Sequence, residues 1–399
     1  MSHEPAWLGL IGAILLPALG HLYHFILAVN VTSGLGFRER ALGRIRLVLL
    51  AVLLGSAGFL LWKQTSDPWW TWPWTWRAYA LLCVASGGIV WPLCSLSLET
   101  RKRPAGVSGR SQRIDLAREC GPEALIGKTR GSWQLRLPGN ESLALCLREY
   151  ETFLPGLPRD LDGLSLIQLT DLHFAPVYDR SYFERVVDAC RDWSADLVLI
   201  TGDLIDSAQA LAWIEPVLGP LEAKLGKYAI LGNHDAEHDP AQITAALAQA
   251  GFECLEGRWT TVSASRLCLA IGGTSAPWGP AIEPLPPLAD CRILLSHSPD
   301  LFYRARNWGV DLMLSGHNHG GQIRLPVLGP VFMPSLYSRR FDRGFFRSGQ
   351  TLLYVSEGIG GKHPIRYGCP PEVCRFVLRS QESKDGASQS GIQSAGWVE

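Results

Sequence analysis

Three stretches in the first hundred residues are too apolar to serve as soluble surface. From Trp7 to Val29 there are 23 residues with no side chain charged at neutral pH. Leu47 to Trp62 adds 16 between Arg46 and Lys63, and Ala78 to Leu98 adds 21 between Arg77 and Glu99. A bilayer core about 30 Å thick takes roughly 20 helical residues, so the first and third stretches are long enough to span. The second is short and relies on Arg46 and Lys63 reaching back to the headgroups. Buried helices of a soluble protein explain three such stretches less well. A cleaved signal explains the first poorly, because it has neither a basic leader nor a small-residue cleavage site. Residues 1–98 are therefore predicted to form a transmembrane module with spans at about 7–29, 47–62 and 78–98.

The run Trp69-Trp70-Thr-Trp72-Pro-Trp74-Thr-Trp76 between the second and third spans reads as an interfacial belt, since an indole pairs an apolar body with one N–H. Basic residues set the orientation. Arg38, Arg40, Arg44 and Arg46 follow the first span, and Arg101, Lys102, Arg103, Arg110 and Arg113 follow the third, whereas the loop between the second and third has Lys63 and Arg77. With three spans both basic stretches lie on one side, which the positive-inside rule makes cytoplasmic, and the rest of the chain follows them there. A multi-pass cell-membrane protein is expected. His21 and His24, at i, i+3 in the first span, read as neutral side chains packed between helices, with a functional intramembrane pair as the rarer alternative. Ten cysteines show no CxxC pair, which fits a reducing compartment; spacing alone leaves open one bridge such as Cys369 with Cys374.

Beyond residue 98 the character changes. Residues 99–128 are basic and rich in Gly, Ser and Pro, and read as a juxtamembrane linker. Strand-like patterns begin at Trp133-Gln-Leu-Arg-Leu and Ser142–Leu147. Short apolar runs follow at Leu164–Leu169, Leu197–Ile200, Tyr228–Leu231, Leu267–Ile271, Ile293–Leu295, Leu312–Leu314 and Leu352–Val355. Helix-period stretches at Tyr182–Trp193, Ala208–Leu225 and Pro240–Ala250 lie between several of them. Apolar, non-alternating strands interleaved with helices predict an α/β fold, a β-sandwich flanked by helices, over residues 129–380. The tail 381–399, rich in Ser, Gly and Gln, reads as disordered. Equal numbers of basic and acidic residues, 37 of each, argue against a general nucleic-acid binder.

Five of the ten histidines sit directly after these apolar runs, in company with carboxylates. The runs end in Asp171-Leu-His173, Gly202-Asp203-Leu-Ile-Asp206, Gly232-Asn233-His234-Asp235, Ser296-His297-Ser298 and Gly316-His317-Asn-His319-Gly-Gly. Carboxyl ends of strands are where α/β proteins bind ligands, so five loops converge on one sheet edge. Carboxylate, imidazole and amide oxygen together suit Mn, Fe or Zn, and enough donors are present for two divalent ions with Asp203 bridging. The set lacks cysteine, which argues against a closed structural zinc site, and no HExxH or Walker-type loop occurs.

These motifs, in this order, resemble the signature of the calcineurin-like metallophosphoesterases. The resemblance covers roughly residues 145–378. It implies Asp171, His173, Asp203 and His319 around one metal and Asp203, Asn233, His297 and His317 around the other. It also implies His234 as the histidine that contacts phosphate and serves as general acid, oriented by Asp206. For Asp206 the plainer reading is a helix N-cap; for Asp235 and His238, loop stabilisation. The flanks Ser296-His-Ser-Pro-Asp300, Ser315–Pro326 and Leu353-Tyr-Val-Ser-Glu-Gly358 look like the membrane-associated bacterial phosphodiesterase branch, which includes alternative UDP-2,3-diacylglucosamine pyrophosphatases. Asn318 departs from the Thr expected between the two histidines, but it is not one of the implied ligands.

The resemblance implies a metal-dependent phosphoric ester or anhydride hydrolase, and the expected substrate is phosphorylated and lipid-linked. Two alternatives are a phosphodiesterase for a soluble nucleotide, with the spans as an anchor, and a non-catalytic sensor or scaffold on the same fold. The stretch after Pro326 mixes Phe332, Met333, Leu336, Tyr337, Phe341, Phe345 and Phe346 with Arg339, Arg340, Arg343 and Arg347. It suits a surface dipping into lipid, or else a strand pair with a packed aromatic core and solvated arginines.

Overall fold

A computed structural model describes residues 6–67, 69–264, 266–282 and 289–380. It divides into two compact units: Met1–Lys102 with Ile323–Asp342, and Arg103–Gln322 with Arg343–Glu399. The tail 381–399, expected to be disordered, lies outside the described residues.

The first unit is helical. Helix α1 spans Ala6–Ser33, α2 Glu39–Ser66, α3 Trp74–Ala85 and α4 Trp91–Glu99. A π-helical turn at Ser86–Val90 joins α3 to α4. The stretches Glu39–Lys63 and Trp74–Glu99 are each long and apolar enough to cross a membrane. The second apolar stretch, read as a short span of 16 residues, thus belongs to a 28-residue helix. Near its ends Arg46 pairs with Glu39 at 3.4 Å, and Lys63 pairs with the C-capping Asp67 one turn on. His21 meets the Tyr79 hydroxyl through Nδ1 and Ser56 Oγ through Nε2 at 2.7 Å, and His24 Nε2 meets Ser86 Oγ at 2.9 Å. Both imidazoles therefore act as polar links between helices. Trp70 and Trp74 are exposed as a belt requires, but Trp72 is buried and donates its indole N–H to the Asp67 carbonyl; the Trp69 side chain is outside the described residues.

The second unit is built on two mixed sheets. One has the order β1-β2-β15-β3-β4-β5-β6, from β1 (Val107–Asp115), β2 (Ala144–Phe153), β3 (Ser165–Leu169), β4 (Leu197–Thr201), β5 (Gly226–Ile230), β6 (Glu253–Cys254) and β15 (Glu372–Arg379). The other has the order β13-β14-β10-β9-β8-β7, from β7 (Arg258–Ala264), β8 (Leu267–Thr274), β9 (Cys291–Ser296), β10 (Leu312–Ser315), β13 (Gly344–Ser348) and β14 (Thr351–Val355). The short pair β11 (Arg324–Leu325) and β12 (Gly329–Pro330) belongs to the first unit. Strands β3, β4, β5 and β6 run parallel, as do β8, β9, β10 and β14. Their non-alternating sequences follow from burial on both faces. One face of the first sheet carries Ile167, Val198 and Ala229 into a cluster with Phe183, Val187, Val217 and Leu247 from the flanking helices. The other face brings Leu166, Leu199 and Ile230 into a cluster with Leu269, Ile293, Leu314 and Tyr354 of the second sheet.

Four expectations need correction. The stretch 99–128 is not a linker throughout: β1 pairs antiparallel with β2 across the full strand, and two short helices follow it. Trp133–Leu137 is not a strand, because Ser132–Arg136 forms a 3-10 turn. Ala208–Leu225 is not one helix; Pro216, Gly219 and Pro220 limit it to a 3-10 turn at Ala208–Trp213 and a short helix at Ile214–Leu218. Phe345 is core rather than lipid-facing, lying in β13 with its ring 4.8 Å from Tyr150 and 4.6 Å from Tyr354. All ten cysteines are free, including Cys369 and Cys374.

Candidate metal centre

Strands β3, β4, β5, β9 and β10 deliver their carboxyl ends to one edge, and the loops that follow carry all nine nominated residues. Asp171, His173, Asp203 and His319 each bring one donor atom within 4.8 Å of the others, and Asp203, His297 and His317 do the same. Asp203 belongs to both groups, the position a bridging carboxylate requires. Asn233 Oδ1 lies 3.0 Å from His297 Nε2 and so joins the second group. His173 Nε2 faces His319 Nε2 at 3.1 Å, and His317 Nδ1 faces His297 Nε2 at 3.1 Å. Ring nitrogens paired nose to nose beside buried carboxylates form a donor set that a cation satisfies. The residues present therefore fit two divalent ions.

A third triad, His173, Asp206 and His234, has a different character. Asp206 accepts from His173 Nδ1 at 3.0 Å through one oxygen and from His234 Nδ1 at 2.5 Å through the other. Asp206 is thus an orienting carboxylate for two imidazoles, where the sequence suggested only His234. His297 is oriented likewise, its Nδ1 bonded to the Thr201 carbonyl at 2.9 Å. Such contacts fix the tautomer that leaves the other ring nitrogen free to ligate.

The backbone marks the same residues. Asp171, His173, Asp203, His317 and His319 all have positive φ, between 47° and 67°. That region disfavours any side chain with a Cβ, and held strain of this kind concentrates at functional sites.

The charges are mutually adjusted. Burial raises Asp171. Burial also opposes ionisation of Asp203, but His297, His234 and His173 outweigh it and hold this carboxyl well below the usual range. His234 is pushed up to about 10, with burial opposing and Asp203 and Asp206 favouring its proton. His319 is driven well below its ordinary value by burial, His173 and Arg366, which keeps it neutral.

Three neighbours carried no readable signal or only a general one. Arg366 is fully buried and reaches His319 Nδ1 at 3.3 Å while donating to the carbonyls of Glu357, Gly360 and Cys369. Nothing in its Ile-Arg-Tyr surroundings announces that role. The Trp278 ring lies 4.7 Å from that of His317, tilted to it by 51°. Asp235 accepts from the backbone N–H groups of Leu204, Ile205 and Gly232, which supports its reading as a loop brace.

Residues 164–321 match the calcineurin-like phosphoesterase family. The uncharacterized metallophosphoesterase YkuE of Bacillus subtilis is 32% identical over 56% of this chain and 82% of its own length. A transmembrane protein with metallophosphoesterase domain from Danio rerio is 31% identical over 56% of this chain and 55% of its own length. The UDP-2,3-diacylglucosamine pyrophosphatase LpxG of Chlamydia trachomatis is 25% identical over 55% of this chain and 85% of its own length. The convergent donor set and these similarities agree: the chain belongs to the calcineurin-like metallophosphoesterases and is a metal-dependent hydrolase.

Proposed function

We propose that this chain is a membrane-anchored, dimetal phosphodiesterase or pyrophosphatase that cleaves a lipid-linked substrate such as UDP-2,3-diacylglucosamine. The observation that carries the reading is the convergence of seven donors into two groups sharing Asp203, beside His234. On this reading Asp171, His173, Asp203 and His319 hold one ion of Mn, Fe or Zn. Asp203, Asn233, His297 and His317 hold the other, on a sandwich of the two sheets. The apolar helices and the relative named as a transmembrane protein support a multi-pass anchor. The basic residues after the first and third apolar stretches support a cytoplasmic catalytic domain. Similarity to a pyrophosphatase of a diacylated sugar nucleotide supports the substrate class.

Two divalent ions, when bound, supply Lewis acidity and lower the pKa of a water to near neutrality. The chain's own residues do the rest. Asp206 keeps the His234 proton at Nδ1 and leaves Nε2 for the leaving oxygen, so a protonated His234 donates as the bond to phosphorus breaks. The His234 backbone N–H holds Asp203 Oδ1 at 2.9 Å, which ties the acid to the carboxylate shared by both donor groups. The test is product analysis with purified full-length protein and Mn²⁺. UDP-2,3-diacylglucosamine in mixed micelles should release UMP, and bis-p-nitrophenyl phosphate should be cleaved. Cleavage of the diester with preference for a soluble nucleotide over every lipid would reject the substrate class, and no cleavage of either would reject the enzyme reading.

A further inference from the structure

The segment Ile323–Asp342 begins four residues after His319, yet it folds with the helices rather than with the catalytic unit. The attachment is specific. Asn30 of α1 is fully buried; its amide donates to the Val331 carbonyl at 3.3 Å and to Ser338 Oγ at 3.2 Å, and its oxygen accepts from Met333 N at 2.9 Å. From α4, the Trp91 indole and Ser95 Oγ both donate to the Leu328 carbonyl, at 3.2 and 2.8 Å. Arg339, itself buried, donates to Ser95 Oγ at 2.8 Å. Arg324 bridges Glu99 at 2.7 Å and Asp342 at 3.0 Å, and Arg101 closes on Asp342 at 2.8 Å. These partners lie in the last turn of α1 and along α4, the C-terminal part of the helical stretch Trp74–Glu99, so the segment sits at one end of the bundle.

The docking assembles a surface that neither piece has alone. The α1–α2 turn lies against the segment closely enough that a Cβ on Gly34 would come within 2.5 Å of the Leu336 nitrogen. Arg46 places its guanidinium over the Phe332 ring at 5.5 Å. Leu35 and Phe37 from the turn and Phe332, Leu336 and Tyr337 from the segment are therefore brought together, and all five are exposed, from 37% to 50%. The exposed Arg38, Arg40, Arg44 and Arg340 belong to the same two pieces. Across residues 34–46, 99–102 and 323–342 there are nine basic residues against three acidic. Met333 and Phe341 are buried and serve only to hold the segment in place.

We infer that this composite face is a docking surface for anionic phospholipid headgroups, with the apolar side chains entering the headgroup layer and the arginines meeting lipid phosphate. Two observations select lipid as the occupant. The patch is continuous with helices apolar enough to cross a bilayer, and its charge is opposite to that of an anionic leaflet. Its consequence is that the segment Ile323–Asp342 is held at the bilayer surface. This inference rests on the membrane placement proposed above and is independent of which lipid, if any, is cleaved.

The test uses the full chain in nanodiscs containing diazirine-bearing phosphatidylglycerol or phosphatidylcholine, with photolabelled tryptic peptides mapped by mass spectrometry. Peptide 47–63 reports the span, peptide 325–339 the proposed face and peptide 192–224 the catalytic domain. The expected result is strong labelling of 47–63, labelling of 325–339 well above 192–224, and a several-fold preference of 325–339 for phosphatidylglycerol. Joint substitution Phe37→Asp and Leu336→Asp should abolish the 325–339 signal while hydrolysis of the small diester is retained. Labelled 47–63 with unlabelled 325–339, or cross-linking of 325–339 to a second copy of the chain, would overturn this inference alone. Unlabelled 47–63 would instead remove the membrane placement on which it rests.

Discussion

Replacing Asp206 with Asn separates the two jobs this carboxylate performs. Its oxygens accept from His234 Nδ1 at 2.5 Å and His173 Nδ1 at 3.0 Å, so both imidazoles carry their proton on Nδ1 and offer Nε2 elsewhere. An asparagine keeps one acceptor and turns an NH₂ toward the other ring. If the amide faces His173, that ring must accept at Nδ1 and carry its proton on Nε2. There it points at Asp203 Oδ2, 3.5 Å away, and at His319 Nε2, 3.1 Å away, where a metal ligand needs a lone pair. Loss of an orienting partner of this kind costs roughly 10- to 100-fold in metal affinity. If the amide faces His234, the general acid loses the carboxylate that raises its pKa, and turnover falls by about 10² to 10⁴.

His234→Gln removes only the second function. Both variants should therefore turn over bis-p-nitrophenyl phosphate about 10² to 10⁴ times more slowly than wild type at saturating Mn²⁺. Of the two, only Asp206→Asn, with its amide toward His173, should also shift the Mn²⁺ titration midpoint upward, and elemental analysis of desalted protein should then show depleted metal in that variant alone. The double variant should be no slower than Asp206→Asn, because the two residues act as one unit. Metal loss in His234→Gln, or wild-type metal affinity together with wild-type turnover in Asp206→Asn, would refute the division of roles.

Other changes probe the ligands, the core and the topology. Asp203→Asn and His317→Ala should each abolish turnover and lower bound metal, read by elemental analysis, since both are placed as donors. Glu357→Gln should destabilise the catalytic unit by roughly 3 kcal/mol in thermal or denaturant unfolding, because Arg148 and Arg343 both lose the charge of a buried carboxylate partner. Burial opposes the Glu357 charge, but Arg148, Arg343 and Arg366 hold its pKa below the ordinary value. Its stabilisation is thus complete above the unfolded value of about 4.3 and fades as pH falls through the folded one. Phe345→Ser should lower stability by about 3 to 5 kcal/mol and reduce activity on lipid and chromogenic substrates equally, as a core role requires. A C-terminal alkaline phosphatase fusion should be inactive and a fluorescent protein fused there should glow; the opposite pair would place the catalytic domain outside.

Much of the site was legible because each motif combines a donor with the geometry that delivers it. The strand ends were visible as apolar runs stopping at Asp171, Gly202, Gly232, Ser296 and Gly316, and the structure brings all nine nominated residues together. What stayed hidden depends on contacts between residues distant in sequence. Arg366 reaches His319 from 47 positions away, and Asn30 reaches Val331 across 301. The stretch from Phe332 to Arg347 had one composition but two destinations: Phe332 and Leu336 stay exposed in the helical unit, whereas Phe345 enters the core between the sheets. Aromatics and arginines fit either environment, so only strand pairing of Phe345 with Tyr354 separates them. The linker reading of 99–128 failed for a related reason. Strand β1 is a polar edge strand whose side chains are mostly exposed, so no apolar run announces it.

The glycines explain why the motifs are so compact. A Cβ on Gly232 would lie 2.0 Å from Asp203 Oδ1, and one on Gly316 would lie 2.2 Å from Asp171 Oδ2. Each glycine therefore makes room for the carboxylate of a different motif, so the loops fit together only as a set. Five donors held at positive φ add of order 1 kcal/mol or more of backbone strain apiece. Their total is comparable to the whole stability margin of an ordinary domain, about 5–15 kcal/mol. That strain is tolerable because the loops are pinned from behind: Asp171 accepts from His317 N at 3.0 Å, and its N–H reaches the Gly202 carbonyl at 3.0 Å. Asp235 gathers three further N–H groups beneath the Asp203 loop. The donors are thus held by the two sheets and their loops, and bound ions would add stability to that frame.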